Sequence, residues 1–162
     1  METIRYMTSL LTFYLKGEIQ QEQNFVNVKK PNTILGVIPL GAKKESIPVT
    51  HLASVESNFK LIFGRLLSGL VISIIALVLL KETFLLGLIA LLIGANRVIT
   101  AFETDLTIKT TAGDVKNISF IIFEKGKADK AEAQIRTLIS NRLDDTNNRQ
   151  QTDRIVDAIM NK

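Results

Sequence analysis

The strongest constraint in this sequence is a pair of apolar segments separated by three polar residues. Residues 66–80 carry no charge, Lys81, Glu82 and Thr83 interrupt, and residues 84–96 are again uncharged. A polar connection this short predicts two antiparallel helices, a helical hairpin. The first run rises only about 22 Å as a helix, against a bilayer hydrocarbon core of about 30 Å.

Two basic residues at the open end of the hairpin can make up this shortfall. Arg65 and Arg97 can reach lipid headgroups while their methylene stems stay in the apolar layer. The predicted membrane-spanning segments are then residues 58–80 and 83–102. Two alternatives are a re-entrant hairpin that enters the bilayer and returns, and a hairpin buried in the core of a water-soluble protein. The membrane is favoured because a chain of 162 residues has little other apolar surface to cover two such helices.

Basic residues flank the hairpin unevenly. Lys60, Arg65, Arg97 and Lys109 lie near its open end, whereas the turn has one Lys and one Glu. The positive-inside rule therefore predicts a two-helix protein of the cell membrane with both termini in the cytoplasm. Neither apolar segment has an ionisable residue at mid-depth, which argues against an ion- or proton-coupled transporter.

Small residues recur at three- and four-residue spacing on both apolar segments. Such stripes let helix backbones approach closely in lipid, where packing drives helix association. We predict that they pack within the hairpin, with contacts between subunits as a second use, and we expect a homo-oligomer. The residues are Gly64, Ser68, Gly69, Ser73, Gly87, Ala90 and Gly94.

The segment before the hairpin has the pattern of short β-strands joined by turns. Their spacing, with Pro and Gly between them, is typical of a small sandwich or barrel. The strands are predicted at residues 12–17, 25–29, 33–38, 46–49 and 52–59, with a polar break at 20–24 and turns at 30–32 and 39–44.

The segment after the hairpin predicts a β-hairpin followed by helical structure. Residues 103–123 alternate apolar and polar side chains on both sides of a Thr-Ala-Gly-Asp turn. A helix is predicted at 128–143, where apolar residues have three- and four-residue spacing. Residues 144–151 are predicted as a polar loop, and 152–160 as a short amphipathic helix.

The two strands after the hairpin cannot make a stable sheet alone, and the strands before it lack a covering helix, so we predict one β domain split by the hairpin. Its two parts cover residues 8–58 and 103–143, the transmembrane hairpin covers 59–102, and a polar linker with the short helix covers 144–162. The predicted fold class is an α+β membrane protein. Strands, a final β-hairpin and a C-terminal capping helix are the element order of a PH-like small β-barrel or sandwich.

Two stretches carry a resemblance to a known family. The sequence Lys-Pro-Asn-Thr-Ile-Leu-Gly-Val-Ile-Pro-Leu-Gly at residues 30–41 precedes Ser-Ile-Pro-Val at 46–49 and the strand beginning at 52. This pattern resembles an uncharacterised bacterial membrane protein family with a PH-like domain split by a transmembrane helical hairpin. The resemblance covers about residues 8–143 and implies architecture and membrane scaffolding more than chemistry.

The sequence predicts no enzyme and no metal or cofactor site. The single histidine, His51, has no nucleophile or carboxylate placed beside it, and the acidic pair Asp144-Asp145 stands in a polar segment. The chain has no cysteine, no metal-ligand spacing and no phosphate-binding glycine loop. Aromatic residues are not interleaved with basic ones, which argues against nucleic acid as a partner.

Two lysine pairs, in neighbouring predicted loops, give the one polar signal for a ligand. Near an anionic leaflet each cation contributes about 1 kcal/mol of attraction, although solvated loops with the usual positive-inside bias have the same pattern. Membrane lipids are therefore the expected partners. The candidate lipid-binding residues are Lys29, Lys30, Lys43, Lys44, Arg65 and Arg97.

Three functions fit these predictions. The first is a non-enzymatic membrane-anchored PH-like scaffold that self-associates or recruits a protein partner at the cytoplasmic face. The second is a pore or holin-like membrane protein, for which only Ser68, Ser73 and Asn96 supply polar groups along the helices. The third is a module that senses anionic lipids through its basic residues.

Overall fold

A computed structural model describes residues 2–34 and 38–160 of the chain, which form two antiparallel sheets and three α-helices. The first sheet has the order β1 (Ile4–Met7), β2 (Lys16–Glu22), β3 (Phe25–Ile34) and β4 (Ile38–Pro48). The second has the order β5 (Leu52–Leu61), β6 (Phe102–Thr110) and β7 (Val115–Ile121). The helices are α1 (Phe63–Glu82), α2 (Phe84–Ile99) and α3 (Lys125–Met160), and short 3₁₀ turns cover Val49–His51 and Ile122–Glu124.

Strands β5 and β6 pair with each other although the helical hairpin separates them in sequence. Their ladder reaches Leu61 opposite Phe102, and the Ile62 N–H donates to the Ala101 carbonyl at 2.9 Å. The helical hairpin therefore stands where a β-hairpin has its turn. The predicted pairing of strands from the two sides of the hairpin is confirmed, as is the β-hairpin predicted at 103–123.

Both sheets and α3 bury side chains in one shared core. Val26 and Val28 of β3 face inward together because alternate side chains of a strand point to the same face. The rings of Tyr6 and Phe120 pack with centroids 4.5 Å apart and so join β1 to β7, and Ile135 of α3 covers the core. The members are Ile4, Tyr6, Ile19, Val26, Val28, Ile47, Leu52, Val55, Leu106, Ile108, Ile118, Phe120, Ala128, Ala131 and Ile135.

The first two strands lie elsewhere than the sequence pattern predicts. β1 is missing from the prediction, and most of the strand predicted at 12–17 is a turn, with β2 beginning only at residue 16. The polar break predicted at 20–24 shrinks to a tight turn in which Gln23 has a φ of 51°. Cross-strand pairing with β3 holds the Gln-rich stretch in β2, because tertiary context overrides weak strand propensity.

The turns predicted at 30–32 and 39–44 are wrong, since both stretches lie inside strands β3 and β4. β2 pairs with β3 only as far as Lys29, so Pro31 has a neighbouring strand on one side only. A residue without an N–H is tolerated there because no second ladder requires the donor. Gly41, with a φ of 112°, lets the backbone of β4 adopt a conformation that other residues rarely take.

The strand predicted at 33–38 includes residues 35–37, which lie outside the described residues. Its described ends belong to different strands: Ile34 ends β3 and Ile38 begins β4. These two residues are antiparallel partners in neighbouring strands.

α3 is one long helix where the sequence predicts a helix, a loop and a second helix. The helix predicted at 128–143 lies within α3, but the loop predicted at 144–151 is wrong. No Gly or Pro follows Gly126 in the chain, so no residue in this stretch breaks the helix. The ion pair between Arg149 and Asp145, at 3.2 Å and one turn apart, supports the helix in this polar stretch.

The helical hairpin is shorter than predicted and lies outside the β core. Residues 58–61 of the first predicted span belong to β5, and the second predicted span ends in β6. α1 is long and apolar enough to cross a membrane, with a mean hydropathy of 2.4 and only 11% of its apolar window buried. α2 is apolar but shorter. The alternative that the hairpin is buried in the core of the protein is therefore wrong, since most of α1 is exposed.

Candidate functional site

A pocket of ≈ 400 Å³ lies where the helical hairpin meets the β domain. The helices contribute the open ends of α1 and α2, and the β domain contributes β3, β6, β7 and the loop after β1. We call this the base pocket. Its lining residues are Thr8, Ser9, Pro31, Asn32, Thr33, Arg65, Arg97, Thr100, Glu103 and Ser119.

Arg65, in the first turn of α1, is held by an acidic residue of the sheet. Its Nη1 donates to Glu103 Oε2 at 2.7 Å and to the Thr100 carbonyl at 3.0 Å. Glu103 is only 7% exposed, so the pair lies partly out of water, where a broken pair would leave a costly buried charge. These contacts attach the first turn of α1 to the start of β6 and to the residues just before it.

Arg97, near the end of α2, has no such acidic partner. Its Nε donates to Ser68 Oγ at 3.1 Å, and Ser68 in turn donates to the Arg65 carbonyl at 3.1 Å. Among residues 2–34 and 38–160, no carboxylate lies within ion-pair distance of Arg97. The base pocket therefore has a half-buried guanidinium on its wall whose charge the described part of the protein does not balance.

The loop after β1 is attached to α2 through a buried amide. Asn96 is 3% exposed, and its Oδ1 accepts from Ser9 Oγ at 3.1 Å and from the Leu11 N–H at 3.4 Å. Thr100 Oγ1 donates to the Asn96 carbonyl at 2.9 Å. Asn96 directly precedes Arg97 in the chain. Contacts of Asn96 with both the helices and the β domain therefore help to position the Arg97 side chain.

A second charged group lies beside the pocket on the three-stranded sheet. Lys60 Nζ is 3.0 Å from Asp105 Oδ2, and the Ser119 hydroxyl donates to the other carboxylate oxygen at 2.6 Å. The hydrogen bond that Lys60 donates to Asp105, together with the negative charge of that carboxylate, raises the pKa of Lys60. Asp105 is therefore occupied and leaves the charge of Arg97 unbalanced.

The four predicted lipid-binding lysines lie in the middle of strands, so their placement in loops is wrong. Lys29 pairs with Lys44, and Lys30 pairs with Lys43, across the β3–β4 ladder. None of the four lines the base pocket. The structure therefore separates the predicted lysines from the two predicted arginines, which do line it.

Two of these lysines belong to a local cluster around Glu45. Its carboxylate is 2.5 Å from Lys43 Nζ and 3.7 Å from Lys116 Nζ, and Lys30 donates to the Asn117 carbonyl. Burial lowers the pKa of Lys30, and the hydrogen bond from Lys43 lowers that of Glu45. Lys30 and Lys43 are thus engaged within the domain and do not form an open basic patch.

The predicted small residues divide into two groups. Gly69, Gly87 and Gly94 are buried between the helices; a Cβ on Gly69 would lie 2.8 Å from the Val98 nitrogen, and one on Gly87 2.5 Å from the Leu80 nitrogen. Ser73 contacts Gly94, and Ser68 joins the hydrogen bonds at the base. Ala90 is half-buried and Gly64 has open space around it. Ala76, fully buried, is absent from the prediction.

Three segments that border the hairpin base carry exposed apolar side chains, which we call the collar. The loop that contacts Asn96 carries two aromatic rings, and the far ends of β3 and β4 follow the pocket-lining residues 31–33. The end of β5 leads directly into α1. The collar consists of Phe13, Tyr14, Ile34, Ile38, Leu40, Phe59 and Leu61, each at least 39% exposed.

The remaining sequence candidates show no site. His51 is exposed on a 3₁₀ turn, where its carbonyl accepts from the Thr111 N–H at 2.8 Å. Asp144 and Asp145 are exposed on α3. Among the described residues, no group of three or more acidic or histidine side chains could hold a metal ion.

No known protein family, curated protein or solved structure matches this chain. The residues that sequence reasoning missed are Glu103, Asn96 and Thr100, which assemble the base pocket around the two arginines. One sequence signal could have indicated the pairing of Glu103 with Arg65. Arg65 is the first charged residue of the hairpin, and Glu103 is the first charged residue after it.

Proposed function

We propose that the protein is a non-enzymatic membrane-anchored scaffold whose PH-like domain is held at the cytoplasmic surface by a hairpin that crosses the bilayer. The observation that carries this proposal is the exposed apolar surface of α1 and α2. Side chains such as Phe63, Ile74 and Leu85 are 71%, 63% and 68% exposed, although the β domain has its own closed core. Apolar surface of this extent requires a nonaqueous environment or a partner.

Helix length supports a crossing rather than a shallow insertion. α1 has 20 residues and rises about 30 Å, the thickness of the hydrocarbon core. α2 has 16 residues and rises only about 24 Å. The difference falls at the end of α2 that bears Arg97, where a long cationic side chain can reach the headgroups from inside the apolar layer.

The arrangement of the strands supports a PH-like domain. Four strands and three strands form two antiparallel sheets over a shared core, and α3 packs Ala128, Ala131 and Ile135 into it. This is the element order that the sequence predicts for a PH-like fold. The hairpin replaces a turn between two neighbouring strands, so an anchor is added without disturbing the sheet.

The collar supports a domain that rests on the membrane. Phe13 and Tyr14 are 62% and 58% exposed and contact each other edge to face at 5.9 Å. Aromatic side chains favour the membrane–water interface, where the ring is apolar and the phenol reaches water. Lys60, Arg65 and Arg97 lie at the same end, which supports a cytoplasmic position for both termini.

The second half of α3 is the surface we assign to protein partners or to a second copy. α3 spans about 54 Å, and its described side chains beyond Leu143 are exposed. A helix that extends so far from the core contributes little to the stability of the domain. It is placed to recruit or self-associate.

A pore is the weaker alternative because the polar groups of the helices are used inside the protein. Ser73 Oγ donates to the Gly69 carbonyl at 2.9 Å, and Ser68 accepts from Arg97. Asn96 accepts from the loop after β1. None of the three is left to line a water-filled channel between subunits.

Membrane extraction tests the anchoring part of this proposal. We expect the full chain to stay in the membrane pellet after alkaline carbonate treatment and to be released only by detergent, because two apolar helices cannot leave lipid without exposing their side chains to water. Release by carbonate contradicts a spanning hairpin. The mass of the detergent-solubilised protein then tests self-association, and a strict monomer restricts the scaffold to recruiting other proteins.

A further inference from the structure

We propose that the base pocket binds the phosphate group of an anionic membrane lipid, with Arg97 as the principal ligand. Resting on the proposed membrane anchoring, this inference names the ligand class of that surface. Arg65 is neutralised by Glu103 at 2.7 Å, whereas Arg97 has no carboxylate within reach among the described residues. The pocket wall therefore carries one net positive charge, which suits a single anionic group.

The donors of the pocket match a phosphate. The Nε of Arg97 is occupied by Ser68, so its two terminal nitrogens keep their N–H groups for a ligand. A guanidinium binds two phosphate oxygens at once, with charge-assisted hydrogen bonds about twice as strong as neutral ones. The side chains of Thr8, Asn32 and Thr33 also line the pocket and make no hydrogen bond with other described residues. They can complete the ligand shell.

The position of the pocket points to a lipid as the source of that phosphate. Arg65 and Arg97 mark the ends of the two apolar helices, so an anchored hairpin places the pocket at the depth of the headgroups. Its volume of ≈ 400 Å³ is in the range of small-ligand sites. The collar lies beside the base pocket, and its exposed apolar side chains can contact the part of the lipid acyl chains nearest the headgroup.

The test uses the full chain in a neutral maltoside detergent and measures binding of short-chain phosphatidylglycerol by calorimetry. Arg97→Gln removes the proposed ligand, and Lys81→Gln removes the same charge at the opposite end of the hairpin. We expect Arg97→Gln to weaken binding about tenfold or more, the loss typical of one hydrogen bond to a charged group, while Lys81→Gln binds like the native chain. Arg97→Lys, which keeps the charge but loses the fork, is expected to lie between them.

A second arm distinguishes the source of the phosphate. Inorganic phosphate that binds as tightly as the lipid, with the same dependence on Arg97, assigns the pocket to the free ion rather than to a headgroup. Equal binding by Arg97→Gln and Lys81→Gln overturns the proposal, as does no binding of either ligand. Because the assay is performed in detergent, these outcomes are independent of carbonate extraction, which tests anchoring alone.

Asn32→Ala keeps the test decisive if Arg97→Gln does not fold. Asn32 is exposed, and its side chain makes no hydrogen bond with the described residues, so its removal leaves the fold intact. We expect a loss of a few-fold in lipid affinity with an unchanged melting temperature. Unchanged affinity contradicts the assignment of this pocket.

Discussion

Replacing residues 62–101 by an Asn-Gly turn is expected to convert the chain, which we propose to be anchored in a membrane, into a water-soluble, folded β domain. Leu61 and Phe102 are direct partners in the β5–β6 ladder, so a two-residue turn can join them as in an ordinary β-hairpin. The replacement removes the exposed apolar helices and leaves every member of the shared core in place. We expect most of the protein in the supernatant after ultracentrifugation, with a cooperative unfolding transition.

A second substitution distinguishes folding from mere solubility in this shortened chain. Leu106 of β6 is fully buried in the shared core, and Leu106→Asp places an unpaired charge there. We expect this variant to lose the cooperative transition. The shortened chain without this substitution is the reference. If it is soluble but already unfolded, the strands need the helices to fold, and the proposal that the hairpin is an insertion into a sheet that is stable by itself is wrong.

The second large effect is expected at the contact between the two helices. A methyl group on Gly87 would lie 2.5 Å from the Leu80 nitrogen and 2.7 Å from its Cα, and backbone cannot move away as a flexible side chain can. We therefore expect Gly87→Ala to lower the free energy of unfolding in detergent by about 1–3 kcal/mol, as overpacking does elsewhere. The melting temperature of the solubilised protein measures this.

Gly64→Ala is the matched control for this substitution. Gly64 lies in α1, the other helix of the hairpin, and has no atom within 4 Å of an added Cβ. Alanine favours a helix over glycine by up to about 1 kcal/mol, so Gly64→Ala should be neutral or stabilising. The two substitutions thus have opposite expected signs. Equal effects would mean that the close contact at Gly87 does not hold the hairpin together.

The local sequence pattern was enough to predict those helices and strands whose signals lie within a few residues of each other. The helical hairpin follows from uncharged runs around Lys81, and β6 and β7 follow from alternation around Gly113. Local pattern also predicted a turn at 30–32, inside β3, because a proline such as Pro31 indicates a turn unless the strand beside it is known to end earlier. β2 does end earlier, since it pairs with β3 only as far as Lys29. The same reasoning also broke α3 at a polar stretch, since polarity alone does not end a helix that lacks Gly and Pro.

The base pocket shows why candidate sites are harder to predict than elements. Arg65 and Arg97 were recognisable because each borders an apolar run, but Glu103 is 38 residues from Arg65 along the chain. Only the pairing of β5 with β6 brings them together. The lysine pairs misled for the converse reason: Lys30 and Lys43 are adjacent across a ladder and engaged with Glu45 and Asn117.

Sidedness of the hairpin turn tests the central claim most directly. The chain has no cysteine, so Glu82→Cys in the turn and Thr146→Cys on α3 each introduce a single reactive thiol at an exposed position. Sealed vesicles of known orientation are treated with a membrane-impermeant maleimide. We expect the two thiols to react from opposite sides of the membrane. Labelling of both from the same side, or failure of Glu82→Cys to react from either side until detergent is added, contradicts a hairpin that crosses the bilayer.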